Sequence, residues 1–593
     1  MEGIPSVDQL RPITLQACEY KILSKIFTQR LLKSMDSVVG PWQHCAIPGR
    51  RILDPLVELV SVLEYASQKN VSGFLMSTDI FKAYDRTNIS FIREVMTRMG
   101  YKAVTVDLVR VLHTGCTTTI QVADGVEVEV LCLRQGDPAS VPLYIMNIEP
   151  LNRRLNEIIR GFPVGLAVVR TGGFMDDISV ASTDVKDVTV VNDTFQEFEQ
   201  LSGTMLSRSK KTKIMGFGGW QGRTEWPVPW MQAQDSLRIL GIMFSPDLDT
   251  TIRNTWSGVL GSIRSTVQRW IGDRRWTVSG KVHIIHTFIL SKAWYVAQLL
   301  PPDQKVCDEV ERSVSHYLFH DQVERISLSQ LYTKQENGGL ALVNFQAKCQ
   351  ALLAKTVDRG LTSQSEHLRY WLAVSLRDVL NVVGPRAEVP TRYFKQLAEL
   401  YKELVEVEQP RTAKRIYQHY MTTPPPSRME ELGLDVGVGC TRLYISGDPQ
   451  LVDVVFKIMS GILPTKQRLH RLNPRRWDSE MCSSCGVPGD VVHLFKDCTS
   501  TQENWRWMMG LIQALEPRVV FNPSDILNLQ YPRSNSELEI GYLVLMVLNQ
   551  IWKAHRQHRV LSNERLRAII RQDILRREIL QVPALSGDLL NQI

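Results

Sequence analysis

Hydrophobic and polar positions in the first 245 residues follow two periods. The run Gly73–Ile80 is apolar, short and bounded by glycine, which predicts a buried strand. Ile89, Ile92, Met96 and Met99 follow Asn88 at helical spacing. They predict a helix with Asn88 as its N-cap and Gly100 closing it. β-Branched residues over 120–130 surround Asp124-Gly125, a hairpin signature. Pro138 stands near a helix start, and Val141, Ile145, Ile148, Leu151 and Leu155 carry an apolar stripe onward. Gly165–Arg170 and Ile178–Ala181 read as two strands joined by a tight turn around Gly172-Gly173-Phe174. The class predicted up to about residue 245 is α+β.

From about Thr251 the pattern turns mainly helical. Breaks are expected at Pro301-Pro302, at Asn337-Gly338-Gly339 and, most clearly, over 422–428, where three consecutive prolines make a stiff extended linker. A small Cys/His segment follows, then helices to the end. No fixed-period repeat is present.

Composition adds exclusions. With 44% hydrophobic and 22% charged residues, the chain has globular usage and is neither disordered nor collagen-like. No apolar run reaches the ~18 residues a membrane helix needs. The first residues lack a basic-then-apolar signal, so an intracellular protein is expected. Ten cysteines in 593 residues are too few for a disulfide scaffold, so a close pair reads first as a metal site. Net charge is +7, and basic residues cluster at 210–213, 264–275, 468–476 and 553–577. Taken singly, each cluster reads as a solvated helix face.

Three segments carry candidate chemistry. Asp79 ends the predicted strand Gly73–Ile80, with Tyr84 five residues on. Leu133-Arg134-Gln135-Gly136-Asp137-Pro138 leads into a helix. Phe174-Met175-Asp176-Asp177 sits at the tip of a predicted hairpin. Phosphoryl transfer needs charge neutralised on the attacking and leaving oxygens, which two divalent ions about 3.5–4 Å apart supply. Mg²⁺ takes hard carboxylate oxygens. One Asp at a strand end and an Asp pair on an adjoining hairpin tip can bridge two such ions. An Asp-Asp pair alone is most often a solvated turn.

The order and content of the three segments resemble motifs A, B and C of reverse transcriptases of the non-LTR (LINE-type) retrotransposons, as Asp79–Asp85, Arg134–Ser140 and Phe174–Asp177. Leu10–Thr14 and Ile47–Arg50 resemble the fingers motifs, 202–213 motif D, Leu240-Gly241-Ile242 motif E, and Trp270–Lys281 a thumb motif. The resemblance implies a right-hand polymerase with fingers and palm over 1–245 and a helical thumb over 246–345. A helical connector over 346–475, a CCHC zinc element over 476–505 and a helical tail over 506–593 would follow. It implies an RNA-directed DNA polymerase that extends a DNA primer or target on an RNA template with dNTPs, using two Mg²⁺ ions or Mn²⁺.

By that resemblance Asp79, Asp176 and Asp177 are the metal ligands. Tyr84 is the bulky residue that excludes a ribose 2′-hydroxyl, or else a core aromatic. Gln135 and Gly136 pack against template and incoming nucleotide. Arg11 contacts the triphosphate or is a solvated arginine, and Lys211 protonates the pyrophosphate or screens its charge. Phe174-Met175 stands where the family has Tyr-Ala, and Ala139 and Val141 depart around the motif B serine. The chain starts almost on the first fingers motif, so a fragment without part of the fingers is expected. No endonuclease is recognised before or after the polymerase. The alternative is a catalytically decayed or repurposed RNA-binding remnant; an RNA-templated RNA polymerase is disfavoured by Tyr84.

Cys482-x2-Cys485-x7-His493-x4-Cys498 has the ligand types and spacing of a closed structural zinc site. It resembles the CCHC element after the thumb of LINE-type proteins. Arg468, His470, Arg471, Arg475 and Arg476 lie just upstream with Trp477 among them. That interleaving of basic and stacking groups suits single-stranded nucleic acid. The remaining cysteines are expected to be core thiols.

Overall fold

The computed structural model describes residues 14–114, 117–120, 126–129, 132–165, 167–208, 211–273, 276–320, 326–334, 339–361, 369, 372, 392–404, 407, 411–421, 449–515, 517 and 537–579. Arg11 and the Pro-rich break at 422–428 lie outside them. The chain divides into two compact units. The first takes in Met1–Val259, Trp294–Pro302 and Cys349–Tyr420; the second Leu260–Ala293, Asp303–Lys348 and Met421–Ile593.

In the first unit, helices α1 (Cys18–Val38) and α2 (Leu53–Lys69) precede strand β1 (Gly73–Thr78). The short strand β2 (Ile80–Phe81) and helices α3 (Ile89–Arg98) and α4 (Ala103–His113) follow. Asn88 caps α3 as expected, its side chain accepting from the Ser90 and Phe91 N–H groups. The expected hairpin forms from β3 (Thr117–Ile120) and β4 (Val126–Glu129), with the pairing Ile120↔Val126. Helix α5 (Ser140–Ile158) carries the expected stripe, fully buried from Leu143 to Ile148. After β5 (Phe162–Val164) and β6 (Ala167–Val169) come β7 (Thr171–Phe174), β8 (Asp177–Ser182) and α6 (Lys186–Ser202). Then follow β9 (Met205–Leu206), β10 (Lys213–Phe217) and β11 (Gln232–Ala233). A last hairpin joins β12 (Leu237–Ile239) to β13 (Ile242–Phe244).

The main sheet has the order β11-β10-β1-β8-β7, so β1 is central, with antiparallel neighbours on both sides. This is why consecutive residues of β1 are apolar on both faces: Phe74, Leu75 and Met76 are all at most 1% exposed. Phe74 and Met76 join Ile178, Val180 and Ile214 in one core with Tyr144, Ile145 and Ile148 of α5 and Val191 and Phe195 of α6. Burial of that apolar surface is the main stabilising term for this sheet–helix layer.

The hairpin around Phe174 differs from expectation. Gly172 and Gly173 are strand residues, not the turn, and Ala167–Val169 pairs with Phe162–Val164 instead of Ile178–Ala181. The turn is Met175-Asp176, closed by Phe174↔Asp177. The glycines serve close approach. A Cβ on Gly172 would stand 2.9 Å from Pro55 Cβ, and one on Gly173 3.2 Å from Gln43 Nε2.

In the second unit, helices 449–459, 499–515, 537–556 and 563–579 share one core around Trp505, Leu543, Val547 and Ile570. Lys281, in the segment that resembles a thumb motif, is buried and donates to the Leu318 carbonyl at 2.8 Å. No helix among the described residues is long and apolar enough to cross a membrane. Of the cysteines expected as core thiols, Cys307 and Cys349 are buried, Cys45 and Cys132 half-buried and Cys18 exposed.

Candidate functional sites: a carboxylate rim and a Cys/His cluster

Strands β1 and β8 pair up to Thr78↔Ile178. The next residue outward on each strand is Asp79 and Asp177, and Asp176 precedes Asp177 in the turn. Three carboxylates that stand up to 98 positions apart in sequence therefore meet at one edge of the sheet. At Asp79 the chain leaves the main sheet. Its N–H donates to Thr212 Oγ1 at 3.3 Å and its carbonyl accepts from the Ser207 N–H at 2.8 Å.

The convergence is felt beneath the rim. Tyr144 is fully buried, and its hydroxyl pKa is driven well above the ordinary value, first by burial and then by Asp176, Tyr84, Asp177 and Asp79. Tyr84 stacks on Tyr144 at 5.3 Å and 26°, and its hydroxyl faces Met175 Sδ at 3.8 Å. Burial and Asp176 raise its pKa too. Burial and Asp176 push the Cys45 thiol up to about 11. A core of neutral groups thus backs the carboxylates.

The residues present fit divalent cations. Asp79 Oδ2 is shielded from solvent and makes no hydrogen bond, with the Lys211 ammonium 3.4 Å away as its ion-pair partner; a divalent cation at this edge would add to that neutralisation. Lys211 reaches the same carboxylate at 3.4 Å, with its own side chain 61% exposed. Of the remaining residues read from sequence, Gly136 is exposed at φ +102°, a conformation only glycine adopts at low cost. Gln135 is half-buried, and its carbonyl accepts from the Thr14 N–H at 2.8 Å.

Sequence reading missed the polar frame behind these segments. Asp137, next to Gly136, has no exposed side chain and is bound by Tyr20 Oη at 2.9 Å and by Ser24 Oγ of α1. Arg134 is buried beside them and donates to the Leu112 carbonyl at 2.6 Å. Glu149 of α5 is fully buried and accepts from Gly40 N at 3.0 Å, Trp42 Nε1 at 3.1 Å and Arg153 at 3.0 Å. A buried carboxylate facing three donors was the available signal, but nothing local marks Glu149 as buried.

In the second unit, Cys482, Cys485, His493 and Cys498 bring one ligand atom each to within 4.8 Å of one another. Cys482 Sγ and Cys498 Sγ are 3.8 Å apart, and Cys485 Sγ and His493 Nε2 are 3.1 Å apart. A tetrahedral site with ~2.3 Å metal–sulfur bonds has sulfurs about 3.8 Å apart, so the cage has the size for Zn²⁺. Local bonds build it: Cys482 N donates to the Val487 carbonyl at 2.7 Å, and Gly486 turns the chain at φ +73°. His493 N is capped by Asp490 at 2.7 Å. Burial opposes ionisation of Cys482, yet hydrogen bonds from the Ser484 N–H, His493 and Cys485 bring its pKa down to about 6. Upstream, Arg471, Arg475 and Arg476 are exposed, with the Arg476 guanidinium 4.9 Å from the Trp477 ring. Arg468 instead donates to the Gly461 carbonyl at 2.7 Å, and His470 Nδ1 lies 2.7 Å from the Trp477 carbonyl.

Residues 4–244 match the family model described as reverse transcriptase (RNA-dependent DNA polymerase). Over 323 residues the chain is 21% identical to the "Transposon TX1 uncharacterized 149 kDa protein" of Xenopus laevis, covering 52% of this chain and 24% of that protein. Over 209 residues it is 24% identical to the "Retrovirus-related Pol polyprotein from type-1 retrotransposable element R2" of Popillia japonica, covering 34% and 29%. The chain thus spans about a quarter of the length of these curated relatives. Among solved structures, telomerase from Candida tropicalis in complex with a fragment of telomeric RNA aligns at 9% identity and TM-score 0.32. That alignment covers 66% of this chain and 58% of that one, a likeness too weak to carry an argument.

Proposed function

We propose, on the premise that this chain carries a reverse transcriptase domain of the non-LTR retrotransposon type, that it is an RNA-directed DNA polymerase. It would extend a DNA primer on an RNA template with dNTPs. The observation that carries the reading is the meeting of Asp79, Asp176 and Asp177 at one sheet edge, with the Lys211 ammonium as the cationic partner of Asp79. Asp79, Asp176 and Asp177 would hold two Mg²⁺ ions. When bound, these supply charge neutralisation on the attacking primer 3′-oxygen and the leaving pyrophosphate.

The chain's own residues position the substrates. Tyr84, stiffened against Tyr144 and Met175, would stand beside the sugar and reject a 2′-hydroxyl. Gly136, with no Cβ, would let the base pair and template approach the backbone, with Gln135 beside it. Lys211 would steady the pyrophosphate charge or protonate it; its ion pair with Asp79 favours the first role. Arg11 would contact the triphosphate.

The Cys/His cluster would hold one structural Zn²⁺, because four protein ligands leave no open position for water. The exposed Arg471, Arg475 and Arg476 with Trp477 would bind single-stranded nucleic acid by charge and stacking.

The test is primer extension on poly(rA)/oligo(dT) with labelled dTTP and Mg²⁺. The expected result is extension by the wild-type chain and none by Asp176→Asn. Template binding without extension by the wild-type chain would instead favour an RNA-binding remnant.

A further inference from the structure

We propose that Gln43 is a positioning residue of the polymerase site, its side-chain amide clamping the turn that carries Asp176. The inference rests on the polymerase reading above and adds a residue outside the carboxylate motifs.

Met175 and Asp176 form a two-residue hairpin loop, closed by Phe174↔Asp177. Such tight loops need a positive φ at their first central position, which is why glycine usually stands there. Here Met175 does, at φ +64°. For a residue with a Cβ that conformation costs roughly 1–2 kcal/mol, so something must hold it.

Gln43 does this with both ends of one amide. Its Oε1 accepts from the Met175 N–H at 3.0 Å, and its Nε2 donates to the Met175 carbonyl at 3.3 Å. The two backbone groups flanking the strained Cα are thereby bound by a single planar group. At roughly 1 kcal/mol net per hydrogen bond, the pair is of the size needed to offset the strain.

The clamp is itself immobilised. Gln43 is 0% exposed. The Arg50 guanidinium donates to the Gln43 carbonyl at 2.9 Å and to the Val39 carbonyl at 3.0 Å. On one side Trp42 accepts from the Gly173 N–H at 2.7 Å; on the other, His44 N donates to the Gly173 carbonyl at 2.9 Å. Glu149 ties Gly40 and Trp42 to α5. Segment 42–44 therefore meets β7 through a parallel bridge, with Gln43 paired to Gly173. A glutamine with a purely local role would bond within its own loop. Oε1 does meet the Cys45 N–H at 3.1 Å, but both atoms of the amide also reach 132 positions along the chain, to the residue before Asp176.

The experiment uses the full chain and compares wild type, Gln43→Met, Gln43→Glu, Met175→Gly and the double variant Gln43→Met/Met175→Gly. Gln43→Met keeps the volume and loses both bonds; Gln43→Glu keeps the acceptor and loses the donor. Displacing a catalytic group by about 1 Å can cost on the order of a hundredfold. The expected result is a kcat for extension about ten- to a hundredfold down in Gln43→Met and less so in Gln43→Glu, with KM for dTTP unchanged. Two readouts do not use turnover. Mn²⁺ binding followed by electron paramagnetic resonance should weaken, and hydrogen exchange at the Met175 amide should accelerate. The double variant should exceed Gln43→Met and match Met175→Gly alone in kcat, because glycine reaches the turn conformation unaided while both lack the Met175 contact with Tyr84.

Wild-type kcat in folded Gln43→Met overturns the proposal. So does a double variant no better than Gln43→Met, which would reduce Gln43 to general stability. If Gln43→Met does not fold, the same quantities are read on Gln43→Glu. If the wild-type chain fails to extend any primer, the polymerase reading falls, and amide exchange in the variants still decides whether Gln43 holds the turn.

Discussion

On the proposed reading, the carboxylate rim and the Cys/His cluster would solve the same problem, gathering ligands for a cation, in opposite ways. The rim draws Asp79, Asp176 and Asp177 from strands joined by long connections, and its geometry is inherited from a sheet with its own helix-backed core. The cluster draws four ligands from 17 consecutive residues, and turns at Gly486 and Asp490 set most of its shape. The first would keep oxygen ligands at a sheet edge, as the proposed catalysis requires. The second closes all four corners, as structure requires. A rim built on a large core should tolerate loss of its metal; a cluster built on turns should not.

The largest effect should come from breaking the cluster. Structural zinc supplies on the order of 10 kcal/mol of metal-coupled folding energy in small elements. Cys485→Ser should take bound zinc from one per chain to none, read by elemental analysis, and loosen residues 476–505 to protease. Extension on a homopolymer should survive. Loss of extension in that variant would make the two sites interdependent and end the contrast.

Asp176→Asn should act the opposite way. It removes a carboxylate that would hold a metal ion without disturbing the core, so melting temperature and RNA affinity should hold. Extension should fall about a thousandfold or more, as loss of several kcal/mol of charge stabilisation implies. A melting temperature that drops with activity would mean the rim depends on its ion as the cluster does.

The third prediction concerns pH. Burial, then Arg50, lower the His44 pKa to about 4. The unfolded chain takes up that proton near pH 6.5, whereas the folded chain does so only near 4. Between those values the unfolded state binds more protons, so this stability is fully present above about pH 6.5 and declines as pH falls toward 4, by up to about 3 kcal/mol. His44→Gln should flatten the decline, measured by denaturant unfolding of the first unit at pH 7 and 4.5. At the cluster, acid acts by protonating ligands, so zinc release rather than unfolding slope should report it.

The smallest effect is expected at Tyr84. Tyr84→Val opens space beside the sugar, and discrimination against ribonucleotides should weaken by roughly 1–3 kcal/mol, about ten- to a hundredfold. Competing rUTP against dTTP measures it. Unchanged discrimination would leave Tyr84 as the stacking partner of Tyr144 alone.

Much of this protein was determined by sequence acting locally. The apolar run Phe74-Leu75-Met76 of β1, the Asn88 cap and the stripe on α5 follow from periodicity and capping, which need only near neighbours. The Cys/His cluster was legible for the same reason, its ligands lying a few residues apart. The carboxylates were legible because three motifs occur in a fixed order, although their meeting is a tertiary event. Gly172-Gly173 reads locally as a turn, since glycine pairs usually mark one. Only the packing of Trp42, Gln43 and Pro55 against that strand makes small residues necessary there. Tertiary structure alone decided the pairings Gln43–Met175, Glu149–Gly40 and Ser24–Asp137, which span 109 to 132 positions. A buried polar group must find a partner, but no local pattern says which one. That choice is made when the sheet, α1 and α5 close on one another and bring particular donors within reach.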